Sequence, residues 1–281
     1  MNEPRFSSSL PHIDDLVGIV GLIGREISRP VENTLAAADL YRGIARDALF
    51  PAPLSVPEVA VRERWRAPGW VSEDLVFASA HEPLEPTFRR RYEEQYRETH
   101  TVYARRIRRR TPRRRPRLLY LHGYMQPETY IEELTLLAGL AVYLDVELVQ
   151  PQPPYHGRRT PGSARLGGEY FWSGDLVRSV ESLRQAVLDV RSLLSWMLAA
   201  DTSAVGVMGL SLGGALTALL TCLEPRLAFS IPLIAHMDLD AMVAEAPVMS
   251  GTRRDLRRFG WRRPDFARFV ADLGWSELRP Q

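Results

Sequence analysis

Near Arg117 the pattern of apolar and polar positions changes rhythm. From there on, short apolar runs alternate with stretches of helical spacing. Residues 118–121 read as a strand ending at His122-Gly123, 131–144 as a helix, and 146–149 as the next strand. A loop over 151–160 (PQPPYHGRRT) leads into 175–198. There Leu176, Val180, Leu183, Val187, Val190, Leu194 and Met197 form one stripe, so an amphipathic helix is expected. A strand at 204–208, a helix at 212–223 and a strand at 227–234 complete the series. Such alternation implies parallel strands joined by right-handed crossovers.

Upstream the signals are weaker. Residues 13–49 carry helical spacing, with Asp14 or Asp15 as a cap and Pro30 as a break. Leu35, Ala38, Tyr41, Ala45 and Leu49 fall on one face of its second segment. A proline-rich connector, 51–57, follows. Strands at 75–78 and about 101–107 are expected as the first, antiparallel edge strands of the sheet, while 88–96 between them is unassigned. Residues 238–275 read as helical. The expected division is an annex and connector (1–57), an α/β core (58–237) and a helical C-terminal segment (238–281).

Composition excludes several classes. All 36 basic residues are arginine, against 34 acidic ones, a formal net charge of +2 that marks no polyanion binder. The single cysteine, Cys222, excludes an intramolecular disulfide and a multi-thiolate zinc site, and the cytoplasm is the expected compartment. The early apolar stretch 16–23 is far shorter than the roughly 20 residues of a bilayer helix. The arginine-rich run 105–117 (RRIRRRTPRRRPR) is read as a solvated edge strand and loop in preference to a phosphate-backbone contact, so no nucleic-acid partner is expected.

Chemistry concentrates at Gly209-Leu210-Ser211-Leu212-Gly213, with Gly214 behind it. An apolar strand leads in and an apolar helix leads out, the context that gives G-x-S-x-G its meaning. Small residues at 209 and 213 allow a sharp turn that presents the Ser211 hydroxyl above a helix N-terminus, where negative charge is favoured. The competing reading is a glycine-rich helix start with a structural serine. A second segment is Leu121-His122-Gly123-Tyr124, at the end of the first strand of the parallel series. A third is Pro154-Tyr155-His156-Gly157-Arg158-Arg159, which is a pocket border or an ordinary tight turn with exposed arginines.

With these motifs the sequence resembles the α/β-hydrolase superfamily over about residues 117–237, most closely its esterase and dienelactone-hydrolase-like branch. The resemblance implies a mostly parallel sheet flanked by helices. It implies Ser211 as nucleophile, and the backbone N–H groups of Tyr124 and Leu212 as oxyanion donors, with His122 orienting its loop. It also places Tyr155 and Arg158 at the substrate pocket. A small ester-like substrate is expected, with a thioester or amide second, and neither cofactor nor metal. In the family the acid and the histidine follow the serine on two late strands. Those strands are not visible here, and His236 is the last histidine. Three explanations stand: a truncated product or fragment, a degenerate homologue kept for binding, or a rearranged triad. The last would use His156 or His236 as base and Asp238 or Asp240 as acid.

Overall fold

The computed structural model describes residues 38–111, 113–126, 133–200 and 204–273. The helical reading of 13–37 lies outside the described residues. Seven strands form one sheet in the order β1-β2-β3-β5-β4-β6-β7. They are β1 (Ala60–Ala67), β2 (Trp70–Ala78), β3 (Thr101–Arg109), β4 (Arg117–Leu121), β5 (Glu147–Pro151), β6 (Val205–Leu210) and β7 (Ser230–Leu233). The pairs β1–β2, β2–β3 and β3–β5 are antiparallel. The pairs β4–β5, β4–β6 and β6–β7 are parallel. This is an α/β-hydrolase-type fold, with the expected parallel half from β4 onward.

Alternation along β4 sets the two faces of the sheet. Leu119 and Leu121 face the larger core, shared with α4 (Leu176–Ala199) and α5 (Leu212–Leu223). Leu118 and Tyr120 face a smaller core with Leu137 and with Ala141 of α3 (Ala138–Leu144). A turn of π-helix, Glu133–Leu137, precedes α3. Behind β7 come α6 (Leu239–Glu245), α7 (Ser250–Arg258) and α8 (Arg263–Asp272).

Two expectations need correction, and two segments gain detail that the pattern did not give. First, described residues 38–49 do not form a continuous helix: a 3-10 turn at Asp39–Tyr41 and one turn, α1 (Arg46–Leu49), flank Gly43 at φ 72° and an extended Ala45. Second, residues 88–96 lie largely within α2 (Pro86–Gln95), where Glu85 accepts the Phe88 N–H as N-cap. Third, the arginine-rich strand is not an edge. β3 lies between β2 and β5, and its arginines meet carboxylates on neighbouring elements. Arg105 pairs with Asp74 (2.9 Å) and Glu133, and Arg108 with Glu73 (2.7 Å). Buried charges are tolerable when paired in this way.

Fourth, the amphipathic helix α4 is buried on both sides. Its polar face is as buried as its apolar stripe, because the chain over 38–50 and 79–100 covers it. Tyr41 O–H and the Leu84 N–H donate to Glu181 at 2.6 and 2.8 Å. Arg184 and Arg191 donate to the carbonyls of Leu49 and Phe50, each at 2.8 Å. Polar side chains on this helix therefore stitch the N-terminal segment to the sheet.

At the other side the described part of the sheet ends on β7. Ile231 and Leu233 stay about 40% exposed, and no described strand pairs with the outer edge. Pro232 interrupts that edge, as prolines of edge strands do. Among the described residues no helix is long and apolar enough to cross a membrane.

Candidate active site

The parallel registers bring three strand ends together. Leu121 pairs with Gly209 and Leu210 with Leu233, so β4, β6 and β7 all release their chains at one end of the sheet. Ser211 stands there at φ 56° and ψ −111°, a conformation an L-residue adopts only under constraint. The constraint is visible. Its N–H donates to Leu233 O (2.9 Å), and its carbonyl accepts the Ala215 N–H (2.9 Å) as α5 begins. A methyl on Gly213 would strike the Leu121 carbonyl, and one on Gly209 would strike the Gly213 carbonyl. The turn closes only because both are glycine.

The loop after β4 comes alongside. A methyl built on Gly123 would lie 3.8 Å from Ser211 Cβ. His122 and Tyr124 flank that glycine, and Leu212 opens α5, where the first N–H groups have no helical acceptor. His122 is buried, with Nδ1 2.8 Å from Gly123 O. Tyr124 is half-buried; its O–H donates to Trp172 O (3.4 Å), and burial raises the phenol above its ordinary range.

His156 occupies a different place from a base. Its ring is fully buried beside His122, Tyr124 and Phe171. Nδ1 lies 3.0 Å from Pro154 O, while Nε2 accepts the Met125 N–H at 3.3 Å. Desolvation, reinforced by His122, pushes its pKa down to about 3. Both nitrogens are committed, so the ring clamps the 122–125 loop, where Met125 is held at φ 59°. Gly168, at φ 86°, packs so tightly against this imidazole that a methyl there would hit Nε2. Met125 and Gly168 carry no motif; only the folded contact reveals them.

The other candidates scatter. Tyr155 is buried at φ 65° among Tyr96 and Tyr170. Arg158 is exposed on the sheet side, over the Tyr103 ring at 4.0 Å. Its neighbour Arg159 is wholly buried, donating to Asp189 (2.8 Å), Thr99 O and Gln152 O. Asp238 caps α6 by accepting the Ala241 N–H (3.0 Å), and Asp240 faces Arg263 at 3.6 Å. His236 has an exposed ring on the segment leaving β7. Among the described residues nothing hydrogen-bonds the Ser211 hydroxyl, and no cluster of potential metal ligands occurs. An apolar cleft of about 620 Å³, open mouth included, runs between α4 and the helices after β7, and Trp172 lies on its wall.

Strand order, elbow and adjacent His-Gly loop define the class: an α/β hydrolase. Residues 48–246 match the family described as Alpha/beta hydrolase domain containing 18, and the chain belongs to that family. An uncharacterized protein of Mycobacterium tuberculosis is 31% identical over 237 residues, covering 78% of this chain. The chain spans about half (55%) of that relative's length. Acetyl xylan esterase 1 from Thermoanaerobacterium sp. shares the fold with a TM-score of 0.55 at 16% identity, covering 90% of this chain and 76% of its own. An acetyl xylan esterase from Paenibacillus sp. R4 aligns with a TM-score of 0.53 at 14% identity, covering 91% and 77%.

Proposed function

We propose that this chain is a serine hydrolase that cleaves a carboxylic ester through an acyl-Ser211 intermediate. The observation that carries the reading is the strained Ser211 backbone beside Gly123. Ser211 Oγ attacks the ester carbonyl carbon and loses its proton to a base, and the N–H groups of Tyr124 and Leu212 receive the oxyanion. The alcohol then leaves with a proton, and water releases the acid from Ser211. Each oxyanion donor is worth about 2.7–4 kcal/mol of barrier in comparable sites. The esterase names of the two structural neighbours support an ester in preference to an amide. Of the described histidines, only His236 combines an exposed ring with a position at the Ser211 end of the sheet.

Hydrolysis of short p-nitrophenyl esters tests this. Wild type should show turnover, and Ser211→Ala should fall to the uncatalysed background. Equal rates for the two proteins would remove Ser211 from the chemistry. His236→Ala, measured alongside, should abolish the burst if His236 is the base; an unchanged burst assigns the proton to another group.

A second reading, a non-catalytic relative that binds an acyl ligand in the same place, is favoured by one observation. No described residue hydrogen-bonds the Ser211 hydroxyl, the contact by which a base activates a serine. It expects no burst with any activated ester, yet thermal stabilisation by an acyl compound.

A further inference from the structure

The helices behind β7 carry a charge arrangement that ester cleavage does not use. In α7, Gly251, Thr252, Asp255 and Leu256 turn inward, and Arg253, Arg254, Arg257 and Arg258 lie on the opposite side. Arg253 is fixed: its Nη1 donates to Val243 O (2.9 Å) and Ala246 O (2.6 Å) at the end of α6. The Arg257 side chain, one turn on, makes no hydrogen bond or ion pair among the described residues. Burial, with the like charge of Arg257, holds Arg253 below the usual guanidinium range. Two cations are thus kept close together, and among the described residues neither makes an ion pair with a carboxylate.

Both line a cleft of about 550 Å³, open mouth included, between α6, α7 and α8. Arg262 and Arg263 stand on the same walls, but each has an acid of its own, Asp265 at 3.1 Å and Asp240 at 3.6 Å. The rest of the lining is mainly apolar, with Val243, Leu256 and Phe266; the Asp240 carboxylate that faces Arg263 is on it too, its Oδ1 without a hydrogen-bond partner among the described residues. Trp261 also lines the cleft. It is 6% exposed, and its indole N–H has no acceptor among the described residues. A buried donor without an acceptor is costly to keep, and a ligand oxygen would relieve it. Arg253 and Arg257 also line an open depression on the other side with Arg254 and Arg258, so the positive surface continues outward from the cleft. Such a surface draws anions inward.

We propose that this cleft binds an oxyanion, a phosphate or carboxylate, carried on an apolar body. Arg253 and Arg257 hold the charge, the Trp261 N–H donates to one of its oxygens, and Val243, Leu256 and Phe266 cover the apolar part. The site is separate from Ser211 and does not depend on the esterase reading.

Titration calorimetry on the full chain tests it, with phenyl phosphate, benzoate, inorganic phosphate and benzyl alcohol as probes. Phenyl phosphate and benzoate should bind, inorganic phosphate should bind more weakly, and benzyl alcohol should not bind. Affinity should fall as salt rises. Arg257→Gln should weaken phenyl phosphate about tenfold, the scale of one charge-assisted hydrogen bond. Because the Arg257 guanidinium makes no hydrogen bond or ion pair among the described residues, the melting temperature of the unliganded variant should stay close to wild type. Trp261→Phe keeps the ring and deletes the N–H, and should weaken binding severalfold. Ser211→Ala should bind like wild type, which separates this cleft from the elbow. No binding of either organic anion, or wild-type affinity in Arg257→Gln, would overturn the proposal. Equal affinity for inorganic phosphate would overturn the apolar half of it.

Discussion

A single methyl group decides whether the Ser211 turn can form. Gly213→Ala would place Cβ into the Leu121 carbonyl, a backbone atom that cannot swing aside. The expected cost is about 1–3 kcal/mol, the usual range for overpacking, read as a lower urea midpoint. An unchanged midpoint would mean that the turn is looser than described. His156 invites a finer test because it acts as a positioning residue, through the Met125 N–H. His156→Gln keeps an acceptor near Nε2, whereas His156→Phe keeps bulk alone. If the clamp sets the Tyr124 N–H, the Phe variant should lose about a hundredfold or more in kcat, the scale of a lost oxyanion donor, with KM little changed, and Gln should restore part of it. Equal kcat values in both variants would confine His156 to packing. At this scale the glycines and Ser211 were legible because their spacing is local. The commitment of both His156 nitrogens was not, since Met125, Pro154 and Gly168 meet the ring only through tertiary contacts.

The pattern exposed the elements wherever they meet apolar neighbours, as in the apolar runs of β4 and α5 and the stripe of α4. It failed where charged residues form the element. β1 reads AVRERWRA, mostly exposed, with no period-2 apolar signal to mark it as a strand. The arginines of β3 looked solvated because the acids that receive them lie on β2, β5 and the turn before α3. The polar face of α4 hid its partners in the same way, and Arg159 shows the energetic weight of such contacts. Arg159→Met should strand Asp189 as an uncompensated buried charge and cost about 3–5 kcal/mol. Arg159→Met combined with Asp189→Asn should recover much of that loss in chemical denaturation. A double variant as unstable as the single one would show that packing, and not charge, holds the 151–160 loop.

Across the whole molecule the buried titrating groups predict sensitivity to acid. His156 stays neutral in the fold down to about 3, whereas an unfolded imidazole protonates near 6.5. Its contribution is therefore complete above about 6.5 and shrinks as pH falls toward 3, by about 1.4 kcal/mol per unit. Burial lowers His81 as well. Glu181 adds to this at lower pH: although burial opposes it, His81 and Arg184 hold its carboxyl below the usual range, so its share fades below about 4.5. Urea midpoints should fall steadily from pH 7 to pH 4; a flat profile would deny that these side chains are buried as described. The fold class was readable because strand and helix alternate from Arg117 onward, and the route from Ser211 to a base was not, because among the described residues no strand pairs with the outer edge of β7. The most direct test of the central claim is a fluorophosphonate adduct located by peptide mass spectrometry. Wild type should carry it on Ser211, and Ser211→Ala should carry none; an adduct elsewhere, or equal labelling of both proteins, would contradict the account.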